Sequence, residues 1–281
     1  MQLIHETRPE FRSLQPAEIM KRLLREVKTG RSGRALHLGQ NLSRQTSNRG
    51  YDLADFRPYA PGDDTRFLDW MALARLDQPI IRLFESINAN PQLLLIDASK
   101  SMGYGSPGKF SAACWAIMDA AVQCWKHGYR LGVDVITGDH LQSIQKDEKI
   151  KAPEKLIRLI KALAAITPDG VIEMDRAIAI GAARQSGAQA MTIISDFLPH
   201  APTLPKRCNR RMNLVRVLSQ TEIDPSPLLH NELVDMETEK KIFARHDADC
   251  IHAYRAALHQ HGSSLARLAL STGGFALDVR T

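Results

Sequence analysis

One stretch of the sequence decides the fold prediction: Leu93-Leu94-Leu95-Ile96-Asp97-Ala98-Ser99-Lys100-Ser101. Its four consecutive apolar residues predict a strand that is buried on both faces. The polar residues that follow predict a turn at the carboxyl end of that strand. Open α/β sheets bind their ligands outside the carboxyl ends of their strands. Residues 97–101, called the Asp97 turn below, are therefore the candidate functional site.

The Asp97 turn carries oxygen ligands at regular spacing. Asp97 supplies a carboxylate, and Ser99 and Ser101 supply hydroxyl groups two and four residues later. Mg²⁺ prefers octahedral oxygen ligands at about 2.0–2.1 Å and usually keeps several waters. The turn thus predicts a site for Mg²⁺ or Mn²⁺. The alternative is that Asp97 and Ser99 only cap the loop and the helix that follows.

Strand and helix patterns alternate along most of the chain. Strand patterns occur at 80–84, 92–96, 130–137, 190–196, 213–218 and 275–279, and helical patterns at 109–127, 153–163, 173–183 and 250–270. This alternation predicts an α/β fold with a doubly wound, mainly parallel sheet that has helices on both faces. Asp196 ends one of these strands, as Asp97 ends another, so both acids are expected at the same edge of the sheet.

A helical and basic N-terminal extension is predicted before this domain, with boundaries at 1–78 and 79–281. A helix begins at Pro16 and ends near Gly30, and an irregular loop follows to residue 49. Between Lys21 and Arg49 there are eight basic residues and one acid, Glu26. Such an arm suits nucleic acid, an anionic membrane, an acidic protein or plain solvent. This stretch has no aromatic side chains for stacking single strands, so we do not expect a nucleic-acid partner.

Composition excludes several classes of protein. Hydrophobic residues make up 44% of the chain and charged residues 24%, which is typical of a soluble globular protein. No stretch reaches the roughly 18 consecutive apolar residues of a transmembrane helix, and the first residues do not resemble a secretion signal. We therefore expect a cytoplasmic protein. The four cysteines lack CxxC spacing and indicate neither a zinc site nor a disulfide framework.

Residues 50–75 form a second unusual block, in which acids and arginines alternate among aromatic residues and turn formers. The block predicts a compact loop held by ion pairs and stacking. It also resembles the signature of domain of unknown function family 58, whose members carry it just before a von Willebrand factor A-type domain. The residues that carry this likeness are Asp55, Arg57, Tyr59, Gly62, Asp63, Asp64, Arg66, Asp69, Trp70 and Arg75.

The resemblance implies a metal-ion-dependent adhesion site. Asp97, Ser99 and Ser101 would form its first loop, and Asp196 would contribute from another. Adhesion sites usually have a threonine about two residues before a helix, but here that position is Ile172. Either Thr167 or Asp169 reaches the ion instead, or the site binds metal with fewer protein ligands. We expect weakened metal affinity, because water can replace a neutral hydroxyl ligand.

The resemblance also implies a function. It indicates a non-enzymatic interaction module that works with a MoxR-type AAA+ ATPase in the assembly or maturation of another complex, with an acidic partner side chain at the metal. One alternative is a metal-dependent hydrolase or phosphatase at Asp97, which would need a general base that no histidine in the sequence is placed to supply. The other alternative is nucleic-acid binding through residues 21–49.

Overall fold

The computed structural model describes residues 2–5, 8–28, 46–47, 52–60, 65, 68–85, 92–138, 140–184, 190–203, 210–225, 232–236, 240–243 and 248–281. The described strands are β1 (Gln2–His5), β2 (Thr46–Ser47), β3 (Asp52–Pro58), β4 (Ile80–Glu85), β5 (Gln92–Asp97), β6 (Arg130–Thr137), β7 (His140–Lys149), β8 (Ala190–Ser195), β9 (Arg211–Leu218), β10 (Glu232–Val234), β11 (Lys241–Phe243) and β12 (Ala276–Arg280). The described α-helices are α1 (Pro16–Lys28), α2 (Trp70–Leu76), α3 (Lys109–His127), α4 (Pro153–Ala165), α5 (Met174–Arg184), α6 (Gln220–Ile223) and α7 (Ala248–Ser271).

Among the described residues, seven strands form one sheet in the order β1-β12-β9-β8-β5-β6-β7. Neighbouring strands are parallel except β6 and β7. When β1 is left out and the other six strands of this sheet are numbered along the chain with β5 as strand 1, their order is 3-2-1-4-5-6. This is the order of a doubly wound sheet. The order reverses between β5 and β8. The predicted fold class is therefore confirmed, and Asp97 lies at this switch point.

Both faces of the sheet are covered by helices. Leu93 and Leu95 of β5 pack in a buried cluster with Ile178 of α5 and Leu265 of α7. Successive side chains of a strand point to opposite faces, so Leu94 and Ile96 face the other side. There α3 contacts β5, β6 and β9, and it packs against α1 and α4. Burial from both sides explains why β5 is apolar throughout rather than alternating.

The chain divides into two units, one of Met1–His37 with Asn90–Thr281 and one of Leu38–Ala89. This division differs from the predicted boundary between residues 78 and 79. The N-terminal strand β1 pairs in parallel with β12. Phe11 is fully buried, and its ring meets that of Trp115 edge-on, with the centroids 5.2 Å apart. Trp115 Nε1 donates to Pro9 O at 2.9 Å. The first residues therefore belong to the larger unit.

The smaller unit contains a described three-stranded sheet of order β2-β4-β3, with antiparallel pairing and an irregularity between Leu53 and Asp55. The prediction of a compact loop over 50–75 is wrong for Asp52–Pro58, which is strand β3, and for the residues from Trp70 onwards, which lie in helix α2. The polar residues of β3 interrupt the apolar pattern by which a strand is recognised in a sequence. Its proline is tolerated because it is the last residue of the strand. Strand β4 pairs with β2 and β3 in this unit. The seven-stranded sheet therefore does not include β4, which the sequence placed in the 79–281 domain.

Most of the predicted basic loop lies outside the described residues. Arg31, Arg34, Arg44 and Arg49 are not described, whereas Lys21, Arg22, Arg25 and Lys28 lie on α1. Arg22 Nε pairs with Glu26 at 3.2 Å, and its guanidinium lies 5.9 Å from the Trp115 ring centroid. Part of the predicted basic arm thus lies on a helix that is packed within the larger unit. Within the part of the chain that the structure describes, no helix is long and apolar enough to cross a membrane.

Candidate functional site

The Asp97 turn is held in place by backbone and side-chain hydrogen bonds. Ala98 N donates to Ile136 O of the neighbouring strand at 2.9 Å. Ser99 N donates to Asp97 Oδ1 at 2.7 Å, which bends the chain directly after β5. The hydroxyl oxygens of Ser99 and Ser101 then lie 3.1 Å apart. The predicted spacing therefore does bring both hydroxyl groups to one place.

Asp196 reaches the same place from the end of β8. Ser101 Oγ donates to Asp196 Oδ2 at 2.9 Å, and Leu198 N donates to Asp196 Oδ1 at 3.1 Å. Asp97, Ser99 and Asp196 are 3% exposed or less, so the carboxylates are removed from bulk water. Through these contacts the structure brings together the four residues predicted as the metal site: Asp97, Ser99, Ser101 and Asp196.

The loop before α5 approaches the turn through its backbone. Asp169 N donates to Ala98 O at 2.8 Å, and Lys100 N donates to Gly170 O at 2.9 Å. Asp169 and Thr167 are exposed, and Asp169 Oδ1 accepts from Gly170 N at 2.8 Å. Ile172 instead packs against the apolar cluster of the sheet. The loop that could carry an additional ligand is thus next to the Asp97 turn, and the Ile172 position serves the core.

Three residues of the site were not predicted as site residues. Ser195 Oγ donates to Asp97 Oδ2 at 2.6 Å. Lys109 is fully buried, and its Nζ donates to Asp196 Oδ2 at 2.7 Å and to Glu222 Oε1 at 2.6 Å. Two local signals were available: a lysine at the first position of a helix is electrostatically unfavourable, and Ser219 with Glu222 has the spacing of a capping box. Neither signal alone identifies the partner across the fold.

The charges of the site are unequal. Burial raises the pKa of Asp97, and the nearby Asp196 raises it further. Burial alone would favour the neutral amine of Lys109, but the carboxylates of Asp196 and Glu222 outweigh it and raise the pKa of Lys109. The ammonium group therefore stays charged. Lys109 Nζ pairs with Asp196 and Glu222, whereas the neighbouring carboxyl group of Asp97 has no cationic partner among its described contacts, so the site favours an added cation.

The donor set suits a hard cation that accepts hydroxyl ligands. Among the described residues, no group of three or more histidine, cysteine, aspartate or glutamate side chains is arranged to hold a metal. An ion at the Asp97 turn would therefore depend on the serine hydroxyls as well as on the two carboxylates. Carboxylate, hydroxyl and water oxygens are the ligands that Mg²⁺ and Mn²⁺ prefer.

The residues of the family motif belong to the smaller unit. Asp55 and Arg57 lie on β3, and Tyr59 N donates to Pro79 O at 2.9 Å. Asp69 caps α2, where its Oδ1 accepts from the backbone of Met71 and Ala72 at 3.0 Å each. The remaining motif residues are either exposed on α2, as Trp70 and Arg75 are, or lie outside the described residues, as Gly62, Asp63, Asp64 and Arg66 do.

The chain is similar to a family of known proteins. The family model described as "Protein of unknown function DUF58" matches residues 55–264. The uncharacterized protein Rv1480 of Mycobacterium tuberculosis is 29% identical over 159 residues, which cover 53% of this chain and 48% of that protein. This chain thus spans about half the length of the curated relatives it matches.

Among solved structures the similarity is lower. An aerotolerance-related membrane protein from Bacteroides fragilis has a TM-score of 0.40 and 15% identity, with 68% of this chain and 90% of that chain covered. BatB from Bacteroides thetaiotaomicron has a TM-score of 0.38 and 14% identity, with coverages of 68% and 89%. Similarity at these scores carries no information about function.

Proposed function

We propose that this chain, which belongs to the DUF58 family and has the doubly wound sheet of a von Willebrand factor A-like domain, is a metal-dependent protein-interaction module. The observation that carries the proposal is the convergence of two serine hydroxyls and two buried carboxylates at the switch point of the sheet. In open α/β sheets this is where ligands bind.

The residues present fit a divalent cation. Asp97, Ser99, Ser101 and Asp196 would hold Mg²⁺ or Mn²⁺, and Thr167 or Asp169 would be an additional ligand. Asp169 is the better placed of these two, because its backbone N–H binds Ala98 O directly. Asp97 is paired with hydroxyl and amide donors, and its raised pKa reflects a buried carboxylate near another carboxylate. A bound cation relieves that cost.

An acidic side chain of a partner protein is the proposed ligand of the loaded site. A bound ion would supply an open coordination position that can accept a carboxylate oxygen. The partner we propose is a MoxR-type AAA+ ATPase, with this chain acting as its adaptor in the assembly or maturation of a client complex. Motif residues of the smaller unit would form a second contact with the ATPase. The motif residue Trp70 and its neighbour Met71, both on α2, are 62% and 64% exposed.

We propose binding and not catalysis at this site. Metal-assisted hydrolysis requires a group that takes a proton from the attacking water. The described contacts of Asp97 and Asp196 are serine hydroxyls, backbone amides and the ammonium group of Lys109. An ammonium group whose pKa is raised cannot accept a proton near neutral pH. These contacts therefore support a docking site.

Isothermal titration with MgCl₂ and MnCl₂ tests the metal site. Wild-type protein is expected to release or absorb heat with one ion bound per chain, and Asp97→Ala is expected to show none. Asp147→Ala is the matched control, since it removes a carboxylate from a peripheral pair with Arg130 at 3.2 Å. If the wild type shows no heat of binding, or if Asp97→Ala shows the same heat as the wild type, the proposal is wrong.

A capture experiment tests the partner. The full chain, immobilised, is expected to retain a purified MoxR-type ATPase in MgCl₂ and to lose it in EDTA. Asp97→Ala should fail to retain the ATPase in either buffer, while Asp147→Ala should behave as the wild type. Retention that is unchanged by EDTA and by Asp97→Ala would contradict a metal-dependent contact.

A further inference from the structure

The buried ammonium group of Lys109 is the part of the site that the proposed function does not use. Lys109 is the first residue of α3, where the positive end of the helix dipole disfavours another positive charge. Its side chain is nevertheless only 1% exposed, and lysine is almost never fully buried unless it is paired. A lysine is held here only because specific anions compensate its charge.

Asp196 and Glu222 are these anions. Lys109 Nζ lies 2.7 Å from Asp196 Oδ2 and 2.6 Å from Glu222 Oε1. Glu222 is fixed in turn by the capping box of α6, in which Ser219 N donates to Glu222 Oε2 at 2.8 Å. The ammonium group is thus clamped between the end of β8 and the first turn of α6. It cannot leave without stranding a buried carboxylate.

The two carboxylates of the proposed metal site are therefore not equivalent. Asp196 Oδ2 already accepts from Lys109 Nζ and from Ser101 Oγ, and its Oδ1 accepts from Leu198 N. The described donors to Asp97 are the backbone and hydroxyl groups of Ser99 and the hydroxyl group of Ser195, all neutral. One carboxylate has a cation in the protein itself, and the other has hydrogen bonds alone.

We propose that Lys109 is a resident cation of the site, which holds Asp196 in the metal-free protein and limits the affinity of the Asp97 turn for divalent ions. The inference rests on the proposed function and deepens it. A positive charge bonded to one ligand repels an incoming ion and competes for the same carboxylate. Glu222 moderates this effect, because it shares the ammonium group with Asp196. Lys109 is thus a residue that sets affinity, not a ligand.

Two substitutions should change metal affinity in opposite directions. Lys109→Met removes the charge and keeps an unbranched apolar side chain, and we expect Mg²⁺ to bind about tenfold tighter or more. Glu222→Gln leaves the ammonium group to Asp196 alone, and we expect about threefold weaker binding. A general loss of packing would weaken both variants, so opposite signs separate the charge effect from damage to the fold.

Titration of the metal-free full chain with MgCl₂ tests the inference, with circular dichroism to verify folding. The matched control is Lys155→Met, which removes an ammonium group that pairs with Glu148 at 2.6 Å in a partly exposed position. It is expected to bind as the wild type does. If Lys109→Met fails to fold, Glu222→Gln decides alone, and unchanged or tighter binding in that variant overturns the inference.

The outcomes separate the inference from the proposed function. Wild-type binding without tighter binding in Lys109→Met overturns the inference and leaves the metal site standing. If Lys109→Met binds Mg²⁺ and the wild type does not, the result supports the inference and contradicts a metal-dependent role of the wild-type protein. No binding in either protein contradicts both.

Discussion

Ser195 Oγ donates a 2.6 Å hydrogen bond to Asp97 Oδ2, and this bond links the ends of β8 and β5 at the switch point of the sheet. Ser195 Oγ also accepts from Phe197 N at 3.0 Å. Phe197 has a left-handed backbone conformation (φ 54°) that phenylalanine rarely adopts. Strained backbone persists where surrounding contacts impose it, and it is common at functional sites. Ser195 thus positions both Asp97 and the turn that carries Asp196.

Ser195→Ala should destabilise the metal-free protein by about 2 kcal/mol. The substitution leaves a buried carboxylate oxygen without its donor, and hydrogen bonds to charged groups contribute more than neutral ones. Urea unfolding measures the loss. Ser263→Ala, on the exposed side of α7, removes a bond to its own helix and should cost less than about 0.5 kcal/mol. A Ser195→Ala loss no larger than that of the control would show that the bond is not needed.

Phe11→Ala should destabilise the larger unit by about 3–5 kcal/mol. Its fully buried ring packs edge-on against Trp115, and truncating a buried aromatic residue leaves a cavity. Leu270→Ala is the control, since Leu270 is 67% exposed on α7. It should change the free energy of unfolding by less than about 0.5 kcal/mol. A small effect of Phe11→Ala would place the N-terminal residues outside the folding unit.

Asp278→Ala should cost about 3–5 kcal/mol. Arg216 Nε and Nη2 donate to the two oxygens of Asp278 at 2.8 Å each, and both residues are buried. Removing the acid leaves an uncompensated buried guanidinium group. Asp224→Ala breaks a 2.8 Å pair with Arg255 that is largely exposed, and it should cost less than about 1 kcal/mol. Equal losses in thermal or urea unfolding would refute this ranking.

Stability should fall on mild acidification, in part because of His261. Burial lowers the pKa of His261, and the Arg216 guanidinium, 3.2 Å from His261 Nδ1, lowers it further. Below the ordinary histidine pKa the unfolded chain binds a proton at this position that the folded chain does not bind, so the free energy of unfolding decreases as the pH falls. Once the pH is below the folded-state pKa of His261, both states bind the proton, and this residue causes no further loss of stability.

His261→Gln should reduce this loss between about pH 7.5 and pH 5.5, because glutamine does not titrate. His252→Gln, at an exposed position of the same helix, is the control and should lose stability as the wild type does. Urea unfolding at the two pH values measures the difference. An identical decrease in the wild type and in His261→Gln would rule out the proposed contribution.

Local pattern was enough to predict much of the larger unit. The helix predicted over 109–127 has the same bounds as α3. Glycines flank it on both sides, and Gly128 adopts the left-handed conformation that commonly ends helices. The apolar run of β5 predicted a strand buried on both faces, and the structure confirms it. The spacing of Asp97, Ser99 and Ser101 indicated their convergence because a single turn determines it.

Contacts between distant parts of the chain were not predictable from pattern. β1 has four residues, too few to show a period, and its partner β12 lies at the other end of the sequence. The strand β3 carries polar residues and is recognisable only through its pairing with β4. Lys109 and Asp196 are 87 positions apart, so their ion pair depends on the fold bringing α3 against the end of β8. Local sequence determines elements, and tertiary packing determines these partners.

Anomalous X-ray diffraction from crystals of the full chain soaked in MnCl₂ tests the central claim most directly, since it locates the ion itself. We expect one anomalous peak at the Asp97 turn, within coordination distance of the hydroxyl oxygens of Ser99 and Ser101. The same soak of Asp97→Ala crystals should give no peak there. A wild-type map without a peak at this turn, or with manganese bound only elsewhere, would contradict the account.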